Sequence, residues 1–186
     1  MTSRGLILVG ALGGTVLGLY GLLVRGALTI DLGIGRSVRP LGPFTVHVDA
    51  PREVVYEVIA APYLRRTPRA LEAKLNVLER GTDAALAAHF TDVGRFVATT
   101  LETVRFDPPD CVHFRLVRGP VPHVVERFVL DEADGGTRLE YVGELGTDLW
   151  TVGRWWGERV SSRWEAAVRN SLMAVKMEAE RRASRD

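Results

Sequence analysis

Two glutamates stand where chemistry could be done. Glu126 shares its alternation with Val124, Phe128 and Leu130, and Glu102 shares one with Thr100, Val104 and Phe106. Every second residue of a strand points to the same side. If the Glu126 side faces inward, a carboxyl sits among apolar groups. Its pKa then rises, and it can act as an acid or orient a polar ligand group. Glu102 is its candidate partner. In the plainer alternative Arg127 or another arginine pairs with Glu126, or Glu126 faces solvent at a sheet edge. No catalytic residue is assigned on this pattern alone, and Glu126 is the residue to test.

The other reactive side chains carry less. His47, His89, His113 and His123 are scattered, with no H-E-x-x-H or other metal-ligand spacing. His47 and His113 fall on the polar sides of alternating stretches, so each histidine reads as a surface or internally satisfied group. Cys111 is the only cysteine, which excludes an intramolecular disulfide and a cysteine-based structural zinc site. In its apolar pattern it reads as a small core residue. No G-x-S-x-G elbow is present. The G-x-G at Gly33 and Gly35 lacks a third glycine and a following helix, so no phosphate loop is read. Neither a metal nor a cofactor is expected. The formal net charge is +1 over 186 residues, with both signs interspersed. A nucleic-acid binder carries a basic face or run, so nucleic acid is not an expected partner.

Those residues must be positioned by the rest of the chain. Gly5 to Val24 is twenty residues without a charge, bracketed by Arg4 and Arg25. As a helix that length just spans a hydrocarbon core. As a signal peptide it is long, and the nearest cleavage candidate, Ala27, has Arg25 where a small residue belongs. Residues 1–25 are therefore expected to form an uncleaved, single-pass transmembrane anchor. Gly10, Gly14 and Gly18 lie four apart, the spacing that lets two membrane helices approach, so a homodimer through them is an option. Glycine is also simply common in membrane segments. Arg25, Arg36 and Arg39 beyond the span outweigh Arg4 and the amino terminus, which leans toward a cytoplasmic domain. Residues 26–42, with Gly33, Gly35 and Pro40, read as a linker.

Pro43 to Asp49 alternates as a half-buried strand, and Asp49-Ala50-Pro51 signals a helix start. Pro62 is expected to interrupt that helix, and Tyr63 to Arg69 to add a second helical turn. From Leu71 the period is two. Strands are expected at Leu71 to Val77, Ala84 to Phe90, Arg95 to Phe106, Val112 to Leu116, His123 to Leu130 and Thr137 to Leu145. Asp134-Gly135-Gly136 marks the last hairpin. Asp148 to Arg182 then runs without a proline, with Leu149, Trp156, Val160, Trp164, Val168 and Leu172 on one face at 100° per residue. Gly153, Gly157 and Ser161 lie four apart beside that face. Trp155, Met173 and Met177 make a second apolar stripe. It is expected to pack on the short helices or the linker, with bilayer contact as the sharper alternative.

This order resembles the START-like or Bet v 1-like (SRPBCC) superfamily, which includes the polyketide cyclase/dehydrase and lipid-transport group. The resemblance is carried by the run from Val46 to Val55 and by Val104 to Pro109 leading into Phe114 to Pro120. Gly135 to Leu139 and the long terminal helix complete it, from about Pro43 to Arg182. These are patterns of fold rather than of chemistry. The resemblance implies an α+β helix-grip fold over 43–183, a curved antiparallel sheet wrapped around the C-terminal helix, here preceded by the transmembrane helix. It also implies an apolar cavity, with Phe114, Leu116, Phe128, Tyr141, Trp156, Val160 and Trp164 as the ligand-binding residues. Members bind lipids, sterols, quinones, hormones or polyketides, and a minority catalyse cyclisation or dehydration. The leading expectation is a membrane-anchored module that binds a hydrophobic small molecule such as a lipid or isoprenoid quinone. The alternatives are a polyketide cyclase or dehydratase, and a tethered interaction protein with a filled cavity.

Overall fold

The period-two stretches assemble into one seven-stranded antiparallel sheet in the computed structural model, which describes residues 17–185. The strands are β1 (Ser37–Val48), β2 (Leu75–Arg80), β3 (Ala84–Val93), β4 (Phe96–Asp107), β5 (Cys111–Arg118), β6 (His123–Ala133) and β7 (Gly136–Thr147). Their spatial order is β1-β7-β6-β5-β4-β3-β2. Consecutive strands from β2 to β7 are neighbours, and β1 closes against β7. The expected last hairpin turns at Asp134 (φ 48°) and Gly135 (φ 79°), the paired left-handed backbone of a two-residue turn.

Two helices cover one face. α1 (Arg52–Leu64) buries Val55, Tyr56, Ile59 and Ala60. α2 (Trp150–Ala183) is the long terminal helix, and it buries Val168, Leu172 and Ala179 at helical spacing. Each fully buried leucine or valine contributes roughly 1.5–3 kcal/mol by leaving water. Gly153, Gly157 and Ser161 are buried in the same helix. A Cβ on Gly157 would stand 3.2 Å from the Thr147 methyl, so the small stripe is what lets α2 approach the end of β7. The α2 backbone comes close to β1, β7 and α1 and stands off β3, β4, β5 and β6. The ion pair Glu178–Arg182 is partly exposed, whereas Glu165–Arg169 lies against β1, with Glu165 accepting the Gly42 amide and Arg169 over the Phe44 ring.

Several sequence expectations need correction. The first strand begins at Ser37, paired with Thr147, so the segment read as a linker is strand from residue 37 onward. α1 runs through Pro62 to Leu64 rather than stopping. Only one hydrogen bond is lost there, and Pro62 itself is buried. The second helical turn is a single 3-10 turn at Arg69–Leu71, and β2 starts at Leu75 rather than Leu71. α2 starts at Trp150, because Leu149 holds a left-handed backbone (φ 72°) and is not part of the helix face. Trp155, Met173 and Met177 are exposed rather than packed on the short helices.

The described chain opens in a helical segment, 17–24. Among the described residues no helix is long and apolar enough to cross a membrane. The expected anchor over 1–25, with Gly10 and Gly14, lies mostly outside them. Gly18 is described and has open space around it.

Candidate functional site

Because the α2 backbone stands off the middle of the sheet, the side chains between them are not fully sealed, and the space they border is termed the crevice. Its floor is the inward face of β3 to β6. Val104, Val112 and Tyr141 keep no accessible surface, whereas Phe114 (6%), Leu116 (8%), Phe128 (8%) and Glu126 (7%) each keep some. Those four therefore border space rather than solid packing. Trp156, Val160 and Trp164 of α2, all half-buried, form the opposite wall. On β3 the inward positions facing Val104 and Glu102 are Ala85 and Ala87, whose small side chains keep the floor low. A register shift between Leu101 and Glu102 bends β4 against β5 at this point. Such bulges re-aim a side chain beside functional sites. Two open surface hollows, near Arg65 and Arg80 and near Glu53 and Arg182, lie outside this crevice and share none of its lining.

Two polar clusters face the crevice. In the first, Glu126 Oε2 accepts hydrogen bonds from the Tyr141 hydroxyl (2.6 Å) and from Trp164 Nε1 (2.7 Å). Strand pairing sets Glu126 directly opposite Phe114 on one side and Gly143 on the other. Burial, and then the negative charge of Glu102, push its pKa up to about 7 against the pull of the Tyr141 and Trp164 bonds. In the second cluster Glu102 Oε1 accepts the Thr100 hydroxyl at 2.6 Å. Its Oε2 lies 3.2 Å from His89 Nδ1, within ion-pair range though out of line for a hydrogen bond. The Tyr63 hydroxyl meets His89 Nε2 at 2.9 Å. Burial raises the Glu102 carboxyl, but the charge of His89 and the Thr100 hydroxyl more than reverse this and hold it low. Burial likewise disfavours a charged His89, but Glu102 outweighs it and holds the imidazole above its usual value. The crevice thus carries an ion pair at one end and a carboxyl that exchanges its proton near neutrality at the other.

One end of the crevice is roofed by the segment before β1. Tyr20 packs edge-on against Phe96 and Trp156, with ring centroids 5.8 and 5.9 Å apart. Trp156 Nε1 donates to the Pro120 carbonyl at 2.8 Å. Gly26 (φ 63°) lies so close to the Thr99 carbonyl that a side chain there would collide with backbone. Thr29 Oγ1 donates to the Gly119 carbonyl at 2.6 Å. Further along, the buried Asp148 carboxylate accepts from the Leu32 and Gly33 amides (2.6 and 2.8 Å) and from Arg36 Nε (2.7 Å). The Arg36 bond is the main reason its pKa drops to about 2. Residues 20–36 are therefore a fastened strap.

This arrangement can be set beside known proteins. A family model described as polyketide cyclase / dehydrase and lipid transport matches residues 44–180. The chain belongs to that family. No curated protein matches it. Among solved structures, the Zhui aromatase/cyclase from Streptomyces sp. R1128 aligns at 21% identity with a TM-score of 0.63, covering 78% of this chain and 96% of that one. TTHA0849 from Thermus thermophilus aligns at 16% identity with a TM-score of 0.60, covering 76% and 97%. A START superfamily protein from Mycobacterium smegmatis gives 14%, 0.50, 79% and 99%. At these identities the structural matches show the helix-grip fold alone, and with the family match they place the chain in the START-like, SRPBCC superfamily.

Within this member of the family, the residues picked from sequence come together. Phe114, Leu116 and Phe128 border the crevice from the floor, and Trp156, Val160 and Trp164 from the helix. Tyr141 is sealed beneath them and reaches in through its hydroxyl alone. Glu126 is buried with no arginine partner among the described residues, and Glu102 lies on the same inward surface. His113 and His123 sit at the outer surface beside Asp107 and Glu144, and His47 is exposed. His89 is the internally satisfied one, meeting the Tyr63 hydroxyl and facing Glu102 inside the crevice, a placement the sequence did not single out. Tyr63 and the strap were missed as well. Cys111 is half-buried at the start of β5, where burial raises its thiol. Among the described residues no three or more potential ligands are grouped to hold a metal.

Proposed function

We propose that the crevice between α2 and β3 to β6 binds a hydrophobic small molecule, a lipid or isoprenoid quinone, at a membrane to which the N-terminal residues anchor the domain. The observation that carries this reading is an aromatic-walled space with partly accessible inward side chains and only two polar clusters. That is the make-up of a site for an apolar ligand with a polar head. The uncharged run Gly5 to Val24 supports the anchor. So do the outward apolar side chains Leu22, Leu32 and Ile34 on the strap, Leu19 just before it, and Trp150 and Trp155 on α2. Arg159 lies over the Trp155 ring at 3.8 Å, an amphipathic pair suited to an interface. Tethering holds the crevice beside a ligand that barely dissolves in water and raises its effective concentration. The arginines that follow the anchor favour a cytoplasmic domain, and Gly10, Gly14 and Gly18 offer a stripe for a homodimer.

Native mass spectrometry with lipid extraction, on the full chain purified from its own cells, tests the proposal. A stoichiometric co-purifying lipid or quinone is expected. An empty protein that also takes up no apolar probe would overturn it. The second reading, a cyclase or dehydratase, is favoured by Glu126, whose raised pKa suits a general acid in an apolar site. Turnover of an aromatic polyketone that disappears in Glu126→Gln would favour it over simple binding.

A further inference from the structure

The two oxygens of the Glu126 carboxyl are not equivalent. Oε2 already accepts two hydrogen bonds, from Tyr141 and Trp164. Oε1 has no hydrogen-bond partner among the described residues. It is not sealed in, either: the buried unpartnered side-chain atoms of the described residues are Arg52 Nε and His89 Nδ1. Oε1 therefore keeps accessible surface on the inward face of the sheet. Glu102, by contrast, has Oε1 bonded to Thr100 and Oε2 facing His89. With two donors aimed at Oε2, the proton of a neutral Glu126 belongs on Oε1, the accessible oxygen. A neutral carboxyl so placed donates one hydrogen bond.

We infer that the ligand is held by a carbonyl oxygen of the ketone or quinone type, which accepts a hydrogen bond from Glu126 Oε1 while Phe114, Phe128 and Trp164 enclose its apolar body. The inference rests on the reading of the crevice as a ligand site and adds the chemical class of the ligand's polar end. A ketone oxygen accepts and cannot donate, so it pairs with the protonated carboxyl and is repelled by the carboxylate. Binding is therefore tied to a proton on Glu126 and weakens as the pH rises through its titration near 7. The groups that act on that proton come from every neighbouring element. Glu102 on β4 favours it, and His89 on β3 opposes it. Tyr141 on β7 and Trp164 on α2 stabilise the carboxylate through Oε2. Tyr63 on α1 and Glu165 on α2 lie in the same field, the first near Glu102 and Glu126 and the second near Tyr141. β5 contributes only Phe114, which carries no charge.

The test uses the full chain in amphipol and two fluorescent probes of matched size, 2-acetylnaphthalene and 2-ethylnaphthalene, at pH 5.5 and 8.5. Wild type is expected to bind the ketone about tenfold more tightly than the hydrocarbon at the lower pH, the worth of one hydrogen bond. At the higher pH that preference is expected to vanish. Glu126→Gln keeps a donor at every pH, so its preference should persist at both. Glu126→Ala should bind both probes alike. Circular dichroism checks that each variant is folded, and Glu126→Gln preserves the side-chain volume that Glu126→Ala removes. Equal binding of the two probes by wild type at both pH values overturns the inference while leaving the crevice a ligand site. Failure to bind either probe removes the ligand site, and the inference with it.

Discussion

Glu126→Gln gives a stability test that needs no ligand. In the folded chain the Glu126 pKa is pushed from its ordinary value of 4.5 up to about 7. Below 4.5 the folded and unfolded chains both hold the proton, and the group contributes nothing to pH dependence. Between 4.5 and about 7 the unfolded chain releases a proton that the folded chain retains, so stability falls as pH rises. Above 7 the fall is complete. At about 1.4 kcal/mol per pH unit it amounts to about 3 kcal/mol. Glutamine has the same shape and offers its carbonyl to Tyr141 and Trp164, but it does not titrate. His89 also loses stability as pH rises through its raised pKa, and the Glu102 contribution is lost only in acid, below 4.5. Both are common to the two proteins to first order and drop out of the difference. Urea unfolding of the full chain in mild detergent, followed by tryptophan fluorescence from pH 4.5 to 8.5, measures it. The two proteins should match at the acid end, and the variant should be more stable by about 3 kcal/mol at the alkaline end. Parallel curves across the range would refute the reasoning.

Three further expectations follow from the same contacts. Glu102→Gln removes the like charge beside Glu126, so the midpoint of the Glu126 titration, read by carbon-13 NMR of its carboxyl, should move down from about 7. No movement would detach the two clusters. Asp148→Ala strands the amides of Leu32 and Gly33 and the Arg36 guanidinium, and should cost about 3 kcal/mol. Limited proteolysis should then cut within 25–36 first; unchanged resistance there would argue against the fastened strap. Gly153→Ala sets a side chain against the Asp148 carbonyl and should destabilise the chain by about 2 kcal/mol, read as a lowered thermal midpoint. An unchanged midpoint would mean that α2 approaches β7 less closely than described.

What the sequence disclosed depended on whether local pattern carried the information. Glu126 was legible as a candidate because Val124, Phe128 and Leu130 share its side of β6, although whether that side faced inward stayed open until the fold was known. His89 was not, because β3 places alanines on both sides of its alternation and neither side stands out as apolar. Tyr63 was hidden behind Pro62, whose helix-breaking tendency was outweighed by burial of that turn. The start of β1 was masked by Arg39, Pro40 and Gly42, which are tolerated because this is an edge strand. The strap was read as the end of an anchor up to residue 25 and a linker from residue 26, since its partners, Phe96, Gly119, Asp148 and Trp156, all lie far along the chain. No periodicity reports such contacts.

If the chain is anchored as proposed, the docking of Tyr20 and Val24 limits its geometry at the membrane. A helix over all of Gly5 to Val24 would measure about 30 Å, the thickness of a hydrocarbon core. With residues 20–24 held against the domain, the fifteen uncharged residues from Gly5 to Leu19 would reach only about 22 Å as a helix. Full crossing of a bilayer and closure of the roof over the crevice would therefore draw on the same five residues, 20–24. On that proposal, bilayer thickness and the openness of the crevice would be opposing demands on one short piece of polypeptide, with Phe96 and Trp156 on one side and lipid on the other.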